Sequence, residues 1–292
     1  MKTAIIGHFS PFSTETQLAY QLERMGHGVK RIDENEDIVA SVLGQSKQRD
    51  LVILVGSHGK PDNGEFQHLR KLGIKSCTIH LDKFLGIPGR DPLNGRHWAT
   101  DRQFTADWDI KLKTHEFMRP AIDEVYCHYG VPREEWKCEV AFVGARDSYH
   151  AEYPFRRRLV DWLTARYGSR FIHVGDGQKV HGHDLNDFYA SAKVIVGDWY
   201  GGGTYANYTS DRLPETEGRG GLLLTPYTEG VGRSPLLTYQ QGDLLSVQDR
   251  IEWCLTHPKE CMFLRHSAFL LTRMNDTYRH RMERVIRWAK SR

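Results

Sequence analysis

No two of the five cysteines stand in a C-x-x-C pair, and their odd number (Cys77, Cys127, Cys138, Cys254, Cys261) does not fit a fully bridged scaffold. The pattern reads as reduced thiols in a cytoplasmic protein. Apolar runs of membrane-span length are missing, and residues 4–6 are too short a run for the core of a signal peptide. The G-x-x-x-x-G-K-[ST] loop is also absent, which removes the P-loop kinases and ATPases. The triplet Gly201, Gly202, Gly203 follows an apolar run but lacks the spacing and distal acid of a dinucleotide fingerprint, so a Rossmann oxidoreductase fits poorly. There is no repeat of solenoid period and no low-complexity tract. An excess of one charge sign is small: the net charge is +3 and the pI about 8.5, which permits a polyanionic partner without arguing for one.

What is present suits two globular domains. The chain has 292 residues, 39% hydrophobic and 26% charged, enough for two cores. Strand-like and helix-like segments alternate. Residues 3–6 read as a strand closed by Gly7, and Thr14 with Gln17 has capping-box spacing ahead of Leu18, Leu22 and Met25. Strands are expected at 29–32, 51–55, 76–81 and 103–106, with a helix near 37–48. The run LVILV (51–55) is typical of a strand buried on both faces. A loop-rich stretch covers 86–97, and the turn-rich YGVPREEW (129–136) marks the expected domain boundary. After it the pattern restarts, with strands at 138–143, 170–174, 193–197 and 222–224 and helices at 153–167 and 184–191. The end is helical, at 246–255, 259–271 and 276–289, and Met282, Val285, Ile286 and Ala289 form one apolar stripe. The fold class is α/β with parallel sheets.

The densest chemistry lies in DRLPETEGRGGLLL, residues 211–224. Asp211, Arg212 and Glu215 precede Gly220 and Gly221, then an apolar strand. A carboxylate can take both hydroxyls of a ribose diol, and free amides at a helix start attract phosphate. Glycines there would let the backbone approach a ligand. A capped surface helix stopped by glycine accounts for the same residues. VGAR ends the first strand of the second half, so Gly144 and Arg146 stand where open α/β sheets bind ligands, and Arg146 could neutralise a diphosphate. Arg156, Arg157 and Arg158 cannot share one helix face, so one or two of them at most reach a ligand.

These residues resemble the CgeB-like, group-1-type glycosyltransferases, especially phage and metagenomic members. Arg212, Glu215, Gly220 and Gly221 fall on the family pattern R-x-x-E-x-x-x-x-G-G. The run DLNDFYASAKVIVGD (184–198), the opening GHFSPFSTE (7–15) and the tail NDTYRHR with Thr277, Tyr278 and Arg281 are similar as well. The resemblance implies a GT-B fold: two Rossmann-like domains facing across a cleft, the first (1–132) for the acceptor and the second (133–272) for the nucleotide-sugar. A final helix (273–292) would cross back to the first domain. It also implies a nucleotide-sugar co-substrate, foremost a UDP-sugar such as UDP-glucose, no other cofactor, and base binding near His181 and Gly182. The location would be the host cytoplasm for a phage-encoded protein.

The sequence departs from the pattern where wider retaining relatives carry a second glutamate, because Asn207 stands eight positions before Glu215. Pro214 and Glu217 also replace apolar residues, a change with no physical explanation. On the acceptor side His8, Asp82 and Asp101 are rival bases, each beside a strand end of the first half; an imidazole suits proton transfer near neutral pH. HGHD (181–184) lacks further ligands in view, so no metal is expected. The expected acceptor is a hydroxymethylated pyrimidine in DNA, with Trp98, Trp108 and Trp199 as stacking candidates, or a surface glycan or protein. A module that binds nucleotide-sugar or DNA without catalysis is the alternative of a different class.

Overall fold

The computed structural model describes residues 1–44, 49–55, 63–81, 99–106, 113–147, 153, 155–177, 180–199, 208–228 and 235–291. The first run of elements is β1 (Lys2–Gly7), α1 (Thr14–Arg24), β2 (Gly28–Asp33), α2 (Ile38–Leu43), β3 (Leu51–Val55), α3 (Asn63–Lys71), β4 (Lys75–His80), β5 (Arg102–Thr105) and β6 (His115–Phe117). The second is β7 (Cys138–Val143), α4 (Arg156–Tyr167), β8 (Phe171–Val174), α5 (Gly182–Ser191), β9 (Ala192–Val196), α6 (Arg212–Gly218), β10 (Leu223–Pro226), β11 (Thr238–Tyr239), α7 (Leu244–Thr256), α8 (Pro258–Asn275) and α9 (Tyr278–Lys290). Two compact units result: Met1–Arg119 with Tyr278–Arg292, and Pro120–Thr277.

The first unit is built on a parallel sheet ordered β2-β1-β3-β4-β5-β6. Its central strands are buried on both faces, and Ile6, Ile32, Val52, Leu54, Phe66 and Leu69 share one core. Helix α1 starts one residue earlier than capping-box spacing suggests. Ser13 is its cap, accepting from the Thr16 amide at 3.3 Å, while the Gln17 side chain donates to the Phe12 carbonyl at 2.7 Å. The last helix, α9, belongs to this unit and buries Tyr278, Met282, Val285, Ile286 and Ala289. Lys75 closes its end by donating to the Ala289 carbonyl at 2.9 Å.

The second unit carries a parallel sheet ordered β11-β10-β9-β7-β8. Val140, Phe142, Leu159, Leu163, Val194 and Leu224 anchor its core. The chain leaves this unit beside its point of entry: Ile122 bridges Thr277, and its amide donates to the Asp276 carbonyl at 3.0 Å. The segment 129–136 lies inside this unit. Arg133 fastens it to α5 through Asp187 at 2.6 Å and through Asp184, and the Val131 amide adds a bond to Asp187 at 2.8 Å. Among the described residues no helix is long and apolar enough to cross a membrane.

Candidate functional site

Strand order locates the site. In the second sheet the chain runs from β7 outward to β8, then returns to place β9 on the other side of β7. Open α/β sheets bind ligands at such a reversal, beyond the carboxyl ends of the strands. Gly144 follows β7 there and Asp198 lies just past β9.

Two arginines converge on this edge. Gly144 has φ +135°, a conformation reserved for glycine, and a Cβ built on it would lie 2.3 Å from Arg212 Nη2. The Arg212 guanidinium lies over the Phe142 ring at 5.2 Å and donates to the Asp198 carbonyl. Arg156 enters from the first turn of α4, its side chain 3% exposed, and Nε meets Asp198 Oδ2 at 3.3 Å. Asp198 Oδ1 is buried with no hydrogen-bond partner among the described residues. Burial pushes the Asp198 carboxyl above the usual carboxylate range, against the pull of Arg156 and Arg212. Two guanidiniums thus meet at Asp198, Arg156 on its carboxylate and Arg212 on its backbone carbonyl.

A second network lies alongside. Arg219, 4% exposed, pairs with Glu215 one helical turn earlier at 2.9 Å. Its other arm donates to the Gly182 carbonyl at 2.8 Å and to Asn186 Oδ1, and its guanidinium lies 4.6 Å above the Tyr126 ring. Burial raises the Glu215 carboxyl, Arg219 lowers it, and burial prevails, although 22% of the side chain stays accessible. Tyr189 is buried between the two networks, its phenol feeling Arg219, Glu215 and Arg212.

The structure thus joins Gly144 to Arg212, and Gly182 to Glu215. His181 is exposed at the start of α5, and Asp211 is exposed with its carboxylate bonded to the Ser210 hydroxyl at 2.7 Å. The missing side chains of Gly220 and Gly221 leave room for protein groups: a Cβ on Gly220 would lie 2.4 Å from the Tyr129 ring, and one on Gly221 2.5 Å from the Thr216 methyl. With φ +76°, Gly220 makes the tight exit from α6. Arg146 is already held by Asp161, at 2.6 Å from its Nε, and by Asp147, so carboxylates balance its charge. Asp198, Asn186 and Arg219 escaped the sequence reading; only the i,i+4 spacing of Glu215 and Arg219 hinted at them.

In the first unit His8 is exposed just beyond β1. Asp101 lies at the opposite, amino-terminal edge of that sheet, bound to Arg70 at 2.5 Å and to the Ser76 amide at 2.8 Å. It anchors β4 to β5 rather than facing a strand's carboxyl end. Asp82, Asn207, Trp98 and Trp108 fall outside the described residues. Trp199 is fully buried and bonds Thr228 at 3.2 Å, so it is a core residue. Among the described residues no three His, Cys, Asp or Glu side chains converge as a metal site.

Two Rossmann-like parallel-sheet units and a last helix returned to the first define a GT-B fold. No protein-family profile and no curated protein sequence matches the chain. Solved structures do. An alpha-glucosyltransferase in complex with UDP superposes over 100% of this chain and 100% of its own, with a TM-score of 0.68 at 10% identity. An alpha-glucosyltransferase holding UDP and a 13-mer DNA with a central A:G mismatch covers 100% and 99%, with a TM-score of 0.67 at 10% identity. The alpha,alpha-trehalose 6-phosphate synthase of Burkholderia multivorans covers 99% and 100%, with a TM-score of 0.60 at 12% identity. At such identities the likeness speaks for the fold.

Proposed function

We propose that this protein is a glycosyltransferase that moves a sugar from a nucleotide-sugar, foremost a UDP-sugar, to an acceptor hydroxyl. The observation that carries the reading is the pair Arg156 and Arg212, held beside one carboxylate at the strand reversal of the second unit. A departing nucleoside diphosphate gains negative charge as the sugar leaves, and fixed cations in a partly desolvated site stabilise it. These arginines supply that charge, so the proposed transfer needs no bound metal. Glu215, oriented by Arg219, takes the ribose hydroxyls, and backbone groups around His181 and Gly182 take the base. The UDP-bound glucosyltransferase that superposes over the whole of this chain supports the nucleotide.

For the acceptor we propose a hydroxymethylated pyrimidine in DNA; the structural neighbour solved with a 13-mer DNA supports DNA as the acceptor class. The five cysteines are free and buried, consistent with a reducing cytoplasm. The test is incubation with a panel of UDP- and GDP-sugars, with and without hydroxymethylated DNA, followed by mass spectrometry of the acceptor. The expected result is a hexose- or pentose-sized mass gain on DNA, with UDP released in proportion. Donor binding with no transfer to DNA, glycan or protein would make the chain a binding module instead.

A further inference from the structure

The first sheet has its own reversal. The chain goes from β1 outward to β2, then returns to place β3 on the other side of β1. The crevice rule applied at the second unit applies here, and the carboxyl ends of β1 and β3 meet at Gly7 and Val55. One ionisable side chain is lodged at that point. A Cβ built on Gly7 would lie 2.5 Å from Glu15 Cγ and 3.4 Å from the Val55 carbonyl oxygen, so the missing side chain of Gly7 is what admits Glu15. Glu15 belongs to the first turn of α1, which Ser13 caps.

The Glu15 side chain therefore runs from the first turn of α1 past the end of β1, at the ligand edge of the sheet. Burial raises it above the usual range for a glutamate, the Ser13 hydroxyl and its own amide pull it down, Glu34 pushes it up and His8 pulls it down. A carboxylate repels phosphate and accepts hydrogen bonds from neutral hydroxyls.

We propose that Glu15 binds the acceptor, taking a hydrogen bond from an uncharged hydroxyl-bearing group, such as a sugar ring or a hydroxymethyl turned out of a nucleic-acid stack. This rests on the glycosyltransferase reading and assigns its acceptor-binding residue. Gly7 acts through Glu15, as a positioning residue.

The experiment is a double-mutant cycle in the full chain with Glu15→Ala, Gly7→Ala and the pair, using UDP-glucose with hydroxymethylcytosine duplex DNA and, in parallel, free glucose. UDP affinity is measured by calorimetry alongside, and thermal melts verify folding. Losing a hydrogen bond to a charged group should raise the acceptor KM roughly 10–100-fold in Glu15→Ala, with UDP affinity unchanged. Gly7→Ala, which keeps the carboxylate but displaces it, should raise KM in the same direction. Adding Gly7→Ala to Glu15→Ala should then change little, because the two act through one contact. An acceptor KM within threefold of wild type in Glu15→Ala overturns the inference and leaves the glycosyltransferase reading standing. Full additivity of the two substitutions overturns the coupling through Gly7 and with it the inference. Wild-type protein that neither binds UDP nor transfers glucose to either probe overturns both.

Discussion

The guanidinium of Arg212 fills the space that a side chain on Gly144 would need, 2.3 Å from where its Cβ would stand. Gly144→Ala must therefore displace the arginine as well as strain a backbone at φ +135°. We expect the substitution to destabilise the second unit by about 1–3 kcal/mol and to weaken UDP binding about as much as Arg212→Ala does. Denaturant titration and calorimetry with UDP measure the two effects separately.

Glu215 gives a pH prediction of definite sign. Its carboxyl is raised above the ordinary 4.5 by burial, so the folded protein holds this proton more tightly than the unfolded chain. Stability from this group is present below 4.5 and falls as pH rises through the folded value. Glu215→Gln removes that loss. The melting temperature of the variant relative to wild type should therefore climb as pH rises above 4.5, even as its nucleotide affinity drops.

Asp187 should behave in the opposite sense. Burial raises its carboxyl, but the Val131 amide and Arg133 prevail and hold it below the ordinary 3.8. Its contribution is present above 3.8 and lost as pH falls through the folded value. Asp187→Asn should cost about 1 kcal/mol at neutral pH, since Arg133 is partly solvated, and the gap to wild type should close on acidification. Thermal melts across pH would record this.

Asp101 serves as the control for catalysis. Its ion pair with Arg70 and its bond to the Ser76 amide sit at the amino-terminal edge of the first sheet. Asp101→Asn should lower stability by about 1 kcal/mol and leave kcat and the acceptor KM unchanged. A loss of kcat without a loss of stability would put Asp101 back among the candidate bases.

The architecture was legible where burial writes itself into composition. The run at 51–55 is uninterrupted because both faces of that strand are covered, and it and 138–143 each appear as a strand of the expected span. Helix α3 and strands β6 and β11 left little trace. The first buries mainly Phe66 and Leu69, and the strands span three and two residues. The site was legible only in part, for a related reason. Arg219 meets Asn186 and Gly182, Arg156 meets Asp198, and Tyr129 fills the space beside Gly220; each pairing joins segments far apart in sequence. Local spacing exposes Glu215 but cannot say which partner holds it, nor whether a glycine makes room for a ligand or for a ring.

The two units also differ in how the ribosome delivers them. Pro120–Thr277 is one unbroken stretch, so the second unit can close as soon as that stretch has emerged. The first unit begins earlier yet closes later, because the apolar stripe Met282, Val285, Ile286 and Ala289 that completes it is made only after the whole second unit. Until then the half-built sheet must persist without its closing helix. Translation that stalls before Tyr278 would leave a folded second unit tethered to an unfinished first, a species that proteases and chaperones would meet before any substrate does.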